Sequence, residues 1–508
     1  MRKRPAPSPR PRGSPARRRR GASCCAAPLH GRSHRRERPR RALDPRPAVE
    51  EGRGMRRPTP ISRRLMSAMT LATLTGGAWA RDEPVVRLAL DALTANEERH
   101  RAALRGLVAL GRPDVVPALL DLWFFNPEDI EIIGPALRAA AGRDVGPTWQ
   151  EWMVWQELNP RQPFAGYDVF KANLLHAIDH NFLDFVSPGA LRAIRLEEIV
   201  WGGVAKDGIP ALVNPKFITV GQADWLWPGE LVFGVEIAGD VRAYPHRIMD
   251  WHEMANDVVG GVPVALAYCT LCGAGVLYES HVAGRAKPFE FGSSGLLYRS
   301  NKLMYDRETL SLWNHLSGTP AVGPLVGSGI ALRTRPIVVT TWERWKRDHP
   351  TTRVLSLDTG HTRDYAPGKP YGDYFTRPGL MFPAAATDGR LKPKDIVYGV
   401  RLDGALRAWP VRAFTGGRVV NDHVGAVPVV AIGDGASETV RVYRRGTLNL
   451  SSQPGGLLRD ESGATWSRTE SALIAPDGRR LERVPGHNAY WFGWRNQFGE
   501  RANLWTPP

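Results

Sequence analysis

The feature that most constrains this chain is an internal duplication. Residues 234–264 read GVEIAGDVRAYPHRIMDWHEMANDVVGGVPV, and residues 399–429 read GVRLDGALRAWPVRAFTGGRVVNDHVGAVPV. The two align without a gap at an offset of 165, the separation of Gly234 and Gly399. Gly239/Gly404, Arg242/Arg407, Pro245/Pro410, Arg247/Arg412, Asn256/Asn421, Asp257/Asp422, Gly260/Gly425 and Pro263/Pro428 match in that frame. Two copies must build one backbone, so shared residues are those the backbone needs. Polar residues confined to one copy are where function has room to be added. In the first copy these are His246, Asp250, His252, Glu253, Cys269 and Cys272. The second copy has Val411, Thr415, Gly417, Arg418, Asp434 and Ser437 in their places.

The likeness continues outward. LWPGELVFGV (226–235) matches LKPKDIVYGV (391–400), and Trp342-x-x-Trp345 is echoed by Trp491-x-x-Trp494. Aromatics carried by both copies read as core rather than as a platform for sugars. The surrounding texture is short β-like runs (ELVFGVEI, PVALAY, GVLYES, DIVYGVRL, VPVVAI, ETVRVYRR) broken by Gly, Pro and Asn-Asp. This predicts two similar β-rich halves, 224–350 and 389–500, packed face to face with a pseudo-two-fold relation. A loop-rich connector, 351–388, joins them. The cleft between the halves is the default place for a small ligand. Upstream, EERHRAALRGLVALG and PDVVPALLDLWFF carry apolar residues three and four apart, with Gly111 and Pro113 between them. They predict a small helical, HEAT-like domain over 81–150, followed by a helical and loop segment over 151–223. The fold class is therefore α+β: a β-rich, internally duplicated main domain preceded by a small all-helical domain. His176 and His180 fall four apart on a predicted helix, a spacing that suits a metal but equally an ordinary helix face.

Charge excludes one class of partner. Residues 1–80 hold 21 Lys and Arg against 4 Asp and Glu, which is the whole formal charge of +17. Of the chain's 68 basic and 51 acidic residues, 47 of each remain for residues 81–508. That balance leaves nothing to neutralise a phosphate backbone, so no nucleic-acid partner is expected. Residues 1–54, rich in Arg, Pro, Gly and Ser, cannot build a core and read as a disordered leader or as a start codon placed too far upstream. Residues 55–80 have the form of a secretory signal peptide. Arg56, Arg57, Arg63 and Arg64 supply the basic region, 65–74 the short apolar one, and Ala78-Trp79-Ala80 the cleavage site. No apolar run reaches the roughly 18 residues of a membrane span. The expected product is a soluble periplasmic or secreted protein whose partner is a small ligand or another protein.

Export sharpens the meaning of the cysteines. Cys24 and Cys25 lie in the leader, and only Cys269 and Cys272 remain. One CxxC pair in an oxidising compartment is a disulfide, a metal site or a redox couple. It sits in VPVALAYCTLCGAGVLYES, between two predicted strands. A glycine after the second cysteine allows the positive φ of a metal knuckle. A thioredoxin-like pair would open a helix, which Gly273-Ala274-Gly275 opposes. CxxCH is absent, so covalently attached haem is excluded, and no nucleotide-binding motif is present. Two thiolates do not close a site. His252 and His246, or Glu253, are the candidate further ligands, and copper or zinc the candidate metal. Glu253 is the candidate general base, unless Asp250 and Glu253 form the capping box of a helix start. Downstream, FGSSG (291–295) reads either as a Ser/Gly hairpin turn or as a backbone anion site. It is not GxSxG, which argues against a nucleophile-elbow hydrolase.

Four motifs in order, RAYPxRxxDWHExxND, YCxLCG, SGLLYxSN and MYDRETxSLW, resemble the domain-of-unknown-function family 3179 over about residues 195–500. The resemblance implies no activity. It marks Arg242, His252, Glu253, Asn256, Asp257, Cys269, Cys272, Ser294, Asn301, Asp306 and Trp313 as the family's polar positions. It adds Asp306 as a second candidate catalytic carboxylate, and Arg242, Ser294, Asn301 and Trp313 as candidate ligand contacts. The family often has proline where this chain has Thr270. Three readings stay open: a metal-binding protein or metalloenzyme; a thiol–disulfide redox protein using Cys269 and Cys272; and a non-catalytic binding module with a structural disulfide.

Overall fold

The computed structural model describes residues 83–385 and 389–507. The leader and signal readings of residues 1–80 lie outside the described residues.

Among the described residues six helices come first: α1 (Pro84–Asp91), α2 (Glu97–Ala109), α3 (Val116–Phe125), α4 (Ile130–Ala141), α5 (Trp149–Leu158) and α6 (Tyr167–Ile178). Their starts follow the local chemistry of unsatisfied amides. Asn96 accepts from Arg99 N–H at the head of α2, and Thr148 with Glu151 forms a reciprocal capping box on α5. α3 is buried nearly all round, and Lys171 on α6 reaches Asp121 on it at 2.5 Å with Tyr167 on the same carboxylate. His176 and His180 do not share a helix. α6 ends at Ile178, Asp179 is extended, and His180 opens a separate 3₁₀ turn, so their spacing presents no common face. The helices are not insulated from the strands. Their core is continuous with Phe291, Leu303 and Trp313 of the first β region.

The first copy builds β1 (Leu231–Ile237), β2 (Asp240–Pro245), α7 (His246–His252), β3 (Met254–Val259), β4 (Val262–Cys269), β5 (Ala274–Glu279), β6 (Phe291–Tyr298), β7 (Asn301–Asp306), β8 (Leu312–Asn314), β9 (Val338–Thr341) and α8 (Trp342–Asp348). β9, β1 and β2 form one sheet, β3, β4 and β5 a second, and β6, β7 and β8 a third, each extended by shorter strands. The second copy builds β10 (Ile396–Leu402), β11 (Ala405–Pro410), β12 (Arg418–Val424), β13 (Val427–Asp434), β14 (Thr439–Arg444), β15 (Gly486–Tyr490) and α9 (Trp491–Phe498). β11, β10 and β15 are neighbours, as are β12, β13 and β14.

Shared residues do the same work in both copies. Asn256 exchanges two hydrogen bonds with the Phe291 backbone, both 2.9 Å, and Asn421 does so with Leu450 at 2.8 and 3.0 Å. Asp257 accepts from Tyr244 at 2.6 Å, and Asp422 from Trp409 at 2.9 Å. A methyl on Gly234 would collide with the Trp345 indole, and one on Gly399 with Trp494. The Trp342 and Glu343 amides bond the Glu230 and Pro228 carbonyls at 2.7 and 2.9 Å. The Trp491 and Phe492 amides bond Asp395 and Pro393 at 2.8 and 2.9 Å.

The copies also interlock reciprocally. β9 lies against β14 of the other copy, and β15 against β5. Thr340 and Thr439 hydroxyls meet at 2.8 Å across one of these contacts. Each tryptophan-bearing helix reaches a turn of the other copy: Arg344 of α8 donates to Asp434 and Ser437 between β13 and β14, and Gly493 of α9 faces Cys272 between β4 and β5. Among the described residues no helix is long and apolar enough to cross a membrane.

Candidate metal centre

β4 and β5 are antiparallel, with Cys269 opposite Ala274. The connection Thr270–Cys272 is a single 3₁₀ turn closed by Gly273 at φ 57°. The second copy makes the same turn, Gly435–Ser437, closed by Glu438 at φ 54°. The left-handed residue belongs to the fold, and glycine avoids the roughly 1 kcal/mol that another residue incurs there. Glycine also gives room, because a β-carbon on Gly273 would stand 3.2 Å from the Tyr490 ring.

Both thiols are free and buried, at 2% and 0% exposure. The Cys272 thiol donates to the Ser300 carbonyl at 3.3 Å, and burial together with the neighbouring Cys269 pushes its pKa well up. A third donor joins them. One ligand atom each from Cys269, Cys272 and His315 lies within 4.8 Å of the other two, a geometry that can hold a metal ion. His315 is fully buried just after β8. Its Nδ1 faces the Lys302 carbonyl at 3.2 Å, which makes Nδ1 the protonated nitrogen and leaves Nε2 with its lone pair. Nε2 has no hydrogen-bond partner. Burial and the Lys302 ammonium depress the His315 pKa to about 3, so the ring is neutral, as a ligand must be.

The second copy shows what occupies this turn without sulfur. Asp434 and Ser437 hydrogen-bond at 3.1 Å, and Arg344 from α8 donates to both. The two matched tryptophans, Trp342/Trp491 and Trp345/Trp494, equate Arg344 with Gly493 of α9. A β-carbon on Gly493 would sit 3.1 Å from Cys272 Cβ and 3.3 Å from Asn301 Oδ1. Gly493 thus leaves the sulfur pair the space that a guanidinium takes up in the other copy.

The imidazoles expected from the sequence lie elsewhere. His252 spends both ring nitrogens: Nδ1 on the Pro210 carbonyl at 2.8 Å and Nε2 on the Tyr365 hydroxyl at 2.6 Å. His246 packs half-buried against the Phe233 and Tyr268 rings, 4.2 and 5.5 Å between centroids, and its desolvation there takes its pKa to about 3. Neither joins a group of metal-capable side chains among the described residues. The Asp250–Glu253 capping box is absent as well. α7 runs from His246 to His252, so Asp250 is inside the helix and Glu253 ends it at φ 54°. Asp250 is buried, and that burial pushes its carboxyl pKa well up.

Glu253 adjoins the cluster without joining it. Its carboxylate accepts from Tyr371 at 2.6 Å and lies 3.3 Å from the Lys302 ammonium. Asp306 spends its oxygens on Thr309 N–H at 2.6 Å, Thr309 Oγ1 at 2.7 Å and Trp313 Nε1 at 2.8 Å. It closes a turn four residues along β7 from Lys302, about 13 Å away at strand rise. Trp313 is that turn's indole and packs on Phe289 and Phe291. Arg242 makes a two-point pair with Asp240 at 2.7 and 2.8 Å and covers the Phe217 ring. Ser294 bonds the Leu303 carbonyl at 2.5 Å inside β6, where FGSSG is strand rather than turn or anion site. Asn301 alone of these four borders the cluster, and its Oδ1 is buried without a partner.

The connector covers the site. Tyr365 bonds His252, Tyr371 bonds Glu253, and Tyr374 bonds the Leu271 carbonyl within the thiol turn at 2.7 Å. Trp251 Nε1 reaches the Asp364 carbonyl at 2.7 Å, and the Ser300 hydroxyl reaches the Pro383 carbonyl. A cavity of about 660 Å³ lies between the copies, walled by Asn314, Ser317 and Arg333 on one side and Arg401, Asp403 and Gln497 on the other. Its lining includes neither thiol nor His315.

A family described as proteins of unknown function (DUF3179) matches residues 206–501, more than half of the chain, and the chain belongs to it. No curated protein and no solved structure matches the chain.

Proposed function

We propose, for this member of a family without an assigned activity, that it is an exported protein that binds one transition-metal ion through Cys269, Cys272 and His315. The observation that carries the reading is the gathering of two free thiols and one neutral imidazole, all buried, within 4.8 Å. Two soft donors and an imidazole suit copper(I) and zinc over hard cations. Copper(I) is satisfied by three such donors, whereas a structural zinc closes with four. Copper(I) is therefore the first metal to test and zinc the second. Burial argues against thiol–disulfide exchange, which needs an accessible thiolate. Both sulfurs are covered, and the Cys272 proton is held tightly.

The test is X-ray absorption on the full chain loaded with copper(I) under anaerobic conditions, and separately with zinc. Two sulfurs near 2.3 Å and one nitrogen near 2.0 Å, distances usual for such ligands, are expected. A first shell without sulfur overturns the reading. Export rests on the signal-like run at residues 55–80, and fractionation of the producing cells checks it.

A further inference from the structure

We infer that Lys302 is the positioning residue of this centre, held in place through Glu253 by the connector; the inference rests on the metal reading above. The chain of contacts is continuous. The Tyr371 hydroxyl donates to Glu253 Oε1 at 2.6 Å. The Lys302 ammonium lies 3.3 Å from Glu253 Oε2 and donates to the Glu253 carbonyl at 3.1 Å. The Lys302 carbonyl then accepts from His315 Nδ1 at 3.2 Å. A ligating histidine has its tautomer and ring angle set by the bond its other nitrogen makes, and such outer partners shape metal affinity.

Two features make Lys302 more than a filler. It is 3% exposed, and a buried ammonium is costly unless it is paired, so its position is tightly specified by Glu253. It also flanks a bulge, since it pairs with Leu297 and the register of β7 against β6 shifts between Lys302 and Met304. Bulges re-aim backbone and side chains beside sites. Here the residue that flanks the irregularity is the one whose carbonyl meets His315. The second copy has Arg418 in place of Glu253, so it cannot make the acid half of this chain of contacts.

The experiment has two readouts on the full chain. Copper(I) affinity is measured by competition with a chromogenic chelator. The His315 tautomer is read from imidazole nitrogen–proton correlations in a ¹⁵N-labelled sample without metal. Lys302→Met is expected to weaken copper(I) binding about 10- to 100-fold, the usual effect of losing an outer-shell partner. It is also expected to turn a single Nδ1–H tautomer into a mixture. Tyr371→Phe, at the far end of the chain of contacts, keeps the ring and its packing and should shift both readouts the same way by less. A parent that binds copper(I) alongside two folded variants with parent affinity and parent tautomer overturns the inference. A parent that takes up neither copper(I) nor zinc overturns the metal reading instead, and the tautomer, which needs no metal, still decides whether Lys302 holds the ring.

Discussion

Replacing Gly493 by alanine probes the space the fold has cleared for the sulfur pair. The added β-carbon would stand 3.1 Å from Cys272 Cβ and 3.3 Å from Asn301 Oδ1. Carbon atoms prefer about 3.5–4.0 Å, so either α9 or the thiol turn must give by roughly half an ångström. Two effects oppose each other in the metal-free protein. Alanine within a helix gains about 1 kcal/mol over glycine. Overpacking a tight interior costs about 1–3 kcal/mol. The net expectation is a loss of about 0–2 kcal/mol, read as a shift in the denaturant midpoint at unchanged slope. Metal binding is less forgiving, because ligand distances hold to about ±0.2 Å. Copper(I) affinity should therefore fall at least ~10-fold, or ~1.4 kcal/mol. Competition titrations and denaturation of Gly493→Ala beside the parent separate the two effects. A variant that binds copper(I) as tightly as the parent would refute the reasoning. So would one that loses stability and affinity in equal measure, since the thiol turn would then only report a loosened fold.

Other parts of the structure make independent predictions. Asn256→Ala strips the buried Phe291 amide and carbonyl of their partner and should cost about 2–4 kcal/mol. Asn421→Ala, at the exposed equivalent position, should cost about 1 kcal/mol, and equal losses in denaturant unfolding would contradict the comparison. His100 lies buried between the Ala92 carbonyl on Nδ1 and Asp129 on Nε2. Burial opposes its charge, but these two acceptors outweigh that and raise its pKa. A raised folded pKa stabilises the protein fully below the unfolded value of about 6.5, and the gain is lost as pH rises through the folded value. The stability difference between the parent and His100→Gln should thus shrink from pH 6 upward, and a difference flat across that range would contradict the ion pair.

The frame of the fold was legible because duplication separates what a backbone requires from what a site requires. Asn256, Asp257, Gly234 and the Trp pairs recur because each satisfies a local demand that both copies share, and the structure shows the same bonds twice. The thiol pair stood out for the opposite reason: Asp434 and Ser437 hold the same turn without sulfur. The sequence misled where a local pattern fitted two registers. Asp250-x-x-Glu253 has the spacing of a capping box, yet α7 starts four residues earlier, directly after the extended Pro245, so Glu253 terminates the helix. His252 was an imidazole of the polar group confined to the first copy, but a helix end pointing at Pro210 and the connector takes it away from the thiols. His315 carried no local signal. It follows a short strand outside the gapless stretch in which the copies align, and only the pairing of β7 with β8 brings it to the sulfurs. Its one trace was its place two residues after the motif ending at Trp313.

The most direct test of the central claim is metal content, by mass spectrometry, of the full chain beside three variants loaded in parallel with copper(I) and with zinc. About one equivalent of the same metal in the parent and in His252→Ala, with none in Cys269→Ser/Cys272→Ser or in His315→Ala, is the result predicted by a Cys269–Cys272–His315 centre. Full occupancy in His315→Ala together with loss in His252→Ala would contradict it and return the site to the imidazole that the sequence first suggested.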